Sequence, residues 1–146
     1  MHRLIPGLLG TGLLGLTSVA WTAAAPLPPA ADQDLARTIF EEMIGMRTTH
    51  DVGSTDLAKA IQDHLLHAGF AAEDVVFMAP PDHPTKGNVV VRYRGKGRGK
   101  PVLFLAHLDV VEAKAEDWSV DPFTLTEKDG YFYGRGTIDM KNGATA

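Results

Sequence analysis

The hydrophobic period of this chain changes once, at Gly69, and that change limits the fold more than any other feature. Before it, Leu35, Ile39, Phe40, Met43 and Ile44 recur at helical spacing, and Leu57, Ala58, Ile61, Leu65 and Leu66 do so again. The spacing predicts one helix from Asp32 to about Met46 and a second over residues 55–68. Asp32 and Asp34 favour the first start, and Gly69 supplies a left-handed stop for the second. After Gly69, DVVFM (74–78), NVVVRYR (88–94) and PVLFLAHL (101–108) are β-branched or aromatic runs punctuated by Pro and Gly, expected to be three strands of one sheet. GKGRGK between the last two reads as a hairpin tip, and Lys128-Asp-Gly130 as the tip of another. This order predicts the α/β class, with helices packed on a mixed β-sheet. The final DMKNGATA reads as the first turn of a further helix, so residues 32–146 are expected to be the N-terminal portion of a larger, here incomplete, domain.

Composition narrows the chemistry. There is no Cys among the 146 residues, which removes disulfides, thiolate nucleophiles and thiolate metal ligands. The net charge of −4 disfavours a nucleic-acid partner, and the basic run from Arg92 to Lys100 reads as a solvated turn. The N-terminus has a short basic start (His2, Arg3), a Gly-broken apolar stretch from Leu4 to Trp21, then small residues. That layout predicts a signal peptide over 1–24 and a disordered lead-in over 25–31. The expected location is therefore periplasmic or extracellular, without stable membrane insertion once the signal is removed.

The motif that carries chemistry is LFLAHLDVVEA, residues 103–113. On a strand, His107 and Asp109 share one side while Leu108 points to the other. Such a pair suits a histidine ligating a metal and a carboxylate orienting its ring, or simply a histidine hydrogen-bonded at a strand end. A second piece, GRGTIDMKNG from Gly134 to Gly143, places Asp139 where a helix would begin; metal ligation and plain N-capping both fit that position. His50, His64, His67 and His83 have no obvious carboxylate partner and read as solvated. A nucleotide-binding α/β reading fails, because no Gly-rich loop joins a strand to a helix at the required place.

Taken in order, LFLAHLDVV, Trp118, Asp121-Pro-Phe123, EKDG and YGRGTIDMK resemble the N-terminal signature of the zinc metallopeptidase family M-twenty. That group includes aminoacylases, acetylornithine deacetylases, succinyl-diaminopimelate desuccinylases and glutamate carboxypeptidases. The likeness extends more softly upstream through Gly87-Asn88 to Asp32, and departs at Glu112, where many members carry Pro. It implies a dizinc hydrolase of peptide or N-acyl amide bonds, acting on small peptides or N-acyl amino acids. Two Zn2+ would be held per complete catalytic domain, with Co2+ or Mn2+ able to use the same ligands. It further implies His107 as a ligand of one zinc, Asp139 as the carboxylate bridging two, Asp109 as the catalytic residue that orients His107, and a cis peptide after Asp139. Trp118 and Phe123 are expected to pack under the loop that carries the site. In that family the general base, the first Glu of a Glu-Glu pair, and further ligands lie beyond the position matching Ala146. The chain alone is accordingly expected to be inactive, an alternative being a non-enzymatic metal-binding module.

Overall fold

The computed structural model describes residues 25–97 and 99–146. The segment 1–24 read as a signal peptide lies outside the described residues. Helix α1 spans Ala30–Gly45, starting ahead of Asp32 because Pro29 presents its carbonyl to the amides of Asp32 and Gln33 at 3.0 and 3.1 Å. It buries Phe40, Met43 and Ile44, whereas Leu35, although in period, stays exposed. Helix α2, Thr55–His67, buries Leu57 and Ala58 and is stopped as expected by Gly69 at φ +90°. Met43, Leu57, Ala58 and Leu108 form the core, with Ile39, Met46, Ile61, Phe77 and Ala144 packed around them. Each large apolar side chain so buried contributes roughly 1.5–3 kcal/mol, so this cluster is what joins the two helices to the His107 segment.

Strands β1 (Val75–Met78) and β2 (Asn88–Val91) pair antiparallel, Val75 opposite Val91, and this ribbon lies against α2. Strands β3 (Thr126–Lys128) and β4 (Tyr131–Tyr133) form the second predicted hairpin, with Asp129 at φ 54° and Gly130 at φ 78°. Two positive φ values in a two-residue loop match the twist of the strands they join, which is why Asp-Gly is the sequence found there. The hairpin docks on α1 through an edge-to-face contact of Phe40 with Phe132, centroids 5.8 Å apart, and Arg37 lies over the same ring.

The α/β class stands, but the third expected strand does not form among the described residues. PVLFLAHL makes no ladder, and Val102, Leu103, Phe104 and Leu105 are 77%, 78%, 89% and 81% exposed. A strand needs a neighbour to satisfy its amides and carbonyls, and propensity alone supplies none. Residues 92–94 and 101–104, the arms expected on either side of GKGRGK, form no ladder with each other. β2 stops at Val91, and the chain beyond turns to Asp74, which accepts from Arg94 Nε at 2.6 Å and Nη2 at 2.8 Å, with Arg92 Nη1 at 3.5 Å. The Arg92 amide also donates to the Asp74 carbonyl at 2.8 Å. A basic run read as solvated is thus half committed to a buried carboxylate. The last helix, α3, is Lys141–Thr145. No helix among the described residues is long and apolar enough to cross a membrane.

The bond from Arg94 holds the Asp74 carboxyl below the usual range. A depressed folded pKa stabilises the fold above the unfolded value of about 3.9 and ceases to do so as pH falls through the folded value. Asp74→Asn should therefore lower the urea midpoint at pH 7, and the gap from the parent should narrow and close as the titration is repeated at decreasing pH below 4.

Candidate metal centre

The site begins at the end of α1. Thr48 is 1% exposed and grips the segment carrying the two polar residues from both ends. Its hydroxyl donates to the Leu108 carbonyl at 2.7 Å, and its carbonyl accepts from the Val110 amide at 3.0 Å. Leu108 and Val110 consequently point inward and are buried, and His107 and Asp109 point outward. The in-and-out alternation predicted for a strand survives here although no ladder does, because Thr48 replaces the missing neighbour.

Asp139 arrives from the other side. The turn from Gly134 to Met140 is held close to the core by its glycines: a Cβ on Gly134 would stand 2.9 Å from Ile44 Cγ2. Gly136, at φ +95°, would put one 3.1 Å from Val110 Cγ1. Lys141 then anchors the turn. It is fully buried and its ammonium donates to the carbonyls of Met43 at 2.6 Å and Met46 at 2.7 Å, at the C-terminal end of α1. Burial pushes its pKa down to about 8, so it keeps its charge at neutral pH. The Asp139–Met140 peptide is cis, as the resemblance implied.

These two segments bring His107 and Asp139 together. His107 Nε2 lies 2.9 Å from Asp139 Oδ1, and Nδ1 lies 3.0 Å from the Asp109 carbonyl and 3.5 Å from its Oδ1. Asp139 is not the cap of α3; Met140 occupies that position and no side chain caps it. The plain N-capping alternative is thereby removed. All three side chains remain open to solvent, 45% for His107, 74% for Asp109 and 82% for Asp139. The carboxylate of Asp139, then the Asp109 backbone, raise the His107 pKa by favouring the imidazolium.

The donor set fits a divalent cation. Two ligands sharing one tetrahedral zinc at about 2.0–2.1 Å stand roughly 3.3 Å apart, close to the 2.9 Å observed. One nitrogen of the ring faces the prospective cation and the other is tied to Asp109, the arrangement that fixes the tautomer of a ligating histidine. A catalytic zinc takes three protein ligands, and no group of three or more His, Asp or Glu side chains is so arranged among the described residues. His107 and Asp139 are thus a pair of donors and no more among the described residues.

Three residues that sequence reasoning passed over support the site. Thr48 had no signal beyond following a helix. Lys141 had one: a lysine opening α3 is wrongly charged for its own helix and rightly charged for the end of α1. Arg135 lies over the Trp118 ring at 5.1 Å and donates to the Glu112 carbonyl at 3.3 Å, tying the loop before Trp118 to the Gly134 turn. Trp118 and Phe123 do pack into these loops, Phe123 beneath Arg47, whose Nη2 pairs with Glu112. Of the other described histidines, His64 does meet a carboxylate, Glu42 of α1 at 2.5 Å, a partner that helix α2 alone could not reveal, and His83 lies 3.6 Å from Asp82.

Residues 103–146 match the family model of Peptidase family M20/M25/M40. Over 100 residues the chain is 39% identical to a succinyl-diaminopimelate desuccinylase of Zymomonas mobilis subsp. mobilis, covering 68% of this chain and 24% of that protein. A succinyl-diaminopimelate desuccinylase of Delftia acidovorans is 40% identical over 118 residues, covering 77% of this chain and 29% of that protein. The N-fatty-acyl-amino acid synthase/hydrolase PM20D1 of Xenopus tropicalis is 60% identical over 42 residues, 29% of this chain and 8% of that protein. The chain thus spans about a quarter of the length of the desuccinylases it matches.

Thr48→Val keeps the shape and removes the donor to Leu108, which should cost about 1–2 kcal/mol. Lys141→Met strands two carbonyls at the end of α1 and should cost more, roughly 2–3 kcal/mol. Urea unfolding followed by tryptophan fluorescence measures both.

Proposed function

This chain belongs to peptidase family M20/M25/M40, and from that premise we propose that the full-length protein is a zinc-dependent hydrolase of peptide or N-acyl amide bonds. The observation that carries the proposal is the convergence of His107 Nε2 on Asp139 Oδ1 while Nδ1 is held at Asp109. His107 would donate its Nε2 lone pair to one zinc ion, and Asp139, with two oxygens and a full charge, would span two. Asp109 would hold the tautomer and orientation of His107 through its backbone carbonyl, 3.0 Å from Nδ1, and its carboxylate, 3.5 Å away, would raise the basicity of the ring as a ligand. Bound there, zinc supplies Lewis-acid polarisation of the scissile carbonyl and a water acidified toward neutral pH.

The resemblance puts the general base and the remaining ligands at positions beyond Ala146, so the 146 residues by themselves should hydrolyse negligibly. The basic and apolar N-terminus supports export to a periplasmic or extracellular space, where small peptides or N-acyl amino acids would be the substrates. Co2+ or Mn2+ could replace zinc on the same nitrogen and oxygen donors.

Elemental analysis after dialysis should find about two zinc ions per chain in a full-length form and little in residues 1–146. Stoichiometric zinc in the short form would instead favour a self-sufficient, non-enzymatic metal-binding module. In the full-length form His107→Ala should abolish both retained metal and turnover. Asp109→Ala, which keeps the backbone carbonyl and removes the carboxylate, should lower turnover about 10–100-fold with a smaller loss of metal; unchanged turnover would remove the carboxylate's role.

A further inference from the structure

The run 102–105 is the most exposed apolar stretch of the described chain. Val102, Leu103, Phe104 and Leu105 are each more than three-quarters exposed, so side chains on both sides of an alternating segment are uncovered. Their amides and carbonyls have no backbone partner among the described residues. The four residues present roughly 600 Å2 of mostly apolar surface, at the upper end of what a monomer leaves to water.

A cover for this run must bring hydrogen-bonding backbone and apolar side chains together, which is what another strand does. The flanks say which strand. Every charged residue from 92 to 100 is basic: Arg92, Arg94, Lys96, Arg98 and Lys100. On the other side, Asp109, Glu112, Glu116 and Asp117 are interrupted by Lys114 alone. A segment basic at its start and acidic at its end complements itself when one copy is reversed. Antiparallel pairing of the run with its copy sets Val102 opposite Leu105 and Leu103 opposite Phe104, and brings Lys100 diagonal to Asp109, an arrangement that favours opposite charges. In-register parallel pairing would set each charge against its like, and an anionic lipid surface would attract the first flank while repelling the second.

We propose that the run 102–105 is an interface between two copies of this chain, paired antiparallel about a two-fold axis. The inference is independent of the hydrolase reading. The pairing is bounded at both ends. Pro101 has no amide to donate and suits the first position of a strand, and beyond the run the Leu108 carbonyl is already taken by Thr48. Because the contact is the same patch on both partners, it closes at two copies. Covering the run twice buries roughly 1,200 Å2, the lower bound of a specific interface.

Sedimentation equilibrium of the 146-residue chain should give twice the mass of one chain. Phe104→Lys should raise the dimer dissociation constant at least about tenfold, and Leu27→Lys, equally exposed elsewhere, should leave it unchanged. At a dilution where parent and Phe104→Lys are both monomers, their urea midpoints should agree, since residue 104 is uncovered in the single chain. The absence of Cys allows the register to be read by disulfide formation. Val102→Cys and Leu105→Cys should each stay unlinked alone under mild oxidation and crosslink when mixed. A monomeric parent, or a dimer indifferent to Phe104→Lys, overturns the interface. A lower urea midpoint for monomeric Phe104→Lys means that another part of the same chain covers the run, and overturns it too. So does flotation of a monomer with phosphatidylglycerol vesicles that Phe104→Lys abolishes, which assigns the run to lipid. Crosslinking of either single Cys variant with itself overturns the antiparallel pairing.

Discussion

The end of α1 is the point on which the rest of the structure depends. A helix leaves its last carbonyls without partners, and a buried helix end must find them elsewhere. Here Lys141 supplies two donors, to Met43 and Met46, and Thr48 immediately beyond couples to Leu108 and Val110. Lys141 is two residues from Asp139, and Leu108 and Val110 flank Asp109. Satisfying one set of backbone groups therefore sets the positions of both sides of the candidate metal centre. The core formed by Met43, Leu57, Ala58 and Leu108 provides the burial that makes leaving those groups unpaired costly.

The site itself is built on contrast between a rigid underside and an open face. Its supports are buried: Thr48, Leu108, Val110 and Lys141. Its chemical groups are exposed: His107, Asp109 and Asp139. Alternation along residues 107–110 produces this contrast, since each inward side chain fixes the outward one beside it. Asp109 occupies the boundary, its backbone carbonyl 3.0 Å from His107 Nδ1 on one side and the residue lining the cavity beside His50 and Lys86 on the other.

Much of this was legible in local pattern. Both long helices, the Gly69 stop and the Asp129-Gly130 hairpin follow from period and turn chemistry, which depend on neighbours a few residues away. The three residues predicted for the site were found as separate motifs, and the structure places them within reach of one another. The failures also share a cause. Residues 101–108 have strand propensity but no ladder partner among the described residues. Arg94 was read as solvated because nothing local announced Asp74, twenty residues earlier in the chain and buried beside it. His64 was misjudged for the same reason, its carboxylate belonging to a different helix.

The sequence by itself determined the elements and the identity of the polar groups: helices by apolar spacing, turns by glycine, and His107, Asp109 and Asp139 by residue type and order. The tertiary structure alone decided which oxygen each ring nitrogen meets, that Asp139 faces His107 instead of capping α3, and that Lys141 serves α1 in place of its own helix. Local conformation is governed by torsional preference and nearest neighbours, both written along the chain. The partner 98 residues from Lys141 is chosen by burial, which drives an enclosed ammonium to the carbonyls the packing has left free, and the exposed pair of His107 and Asp139, 32 residues apart, meets because the segments beneath it are packed.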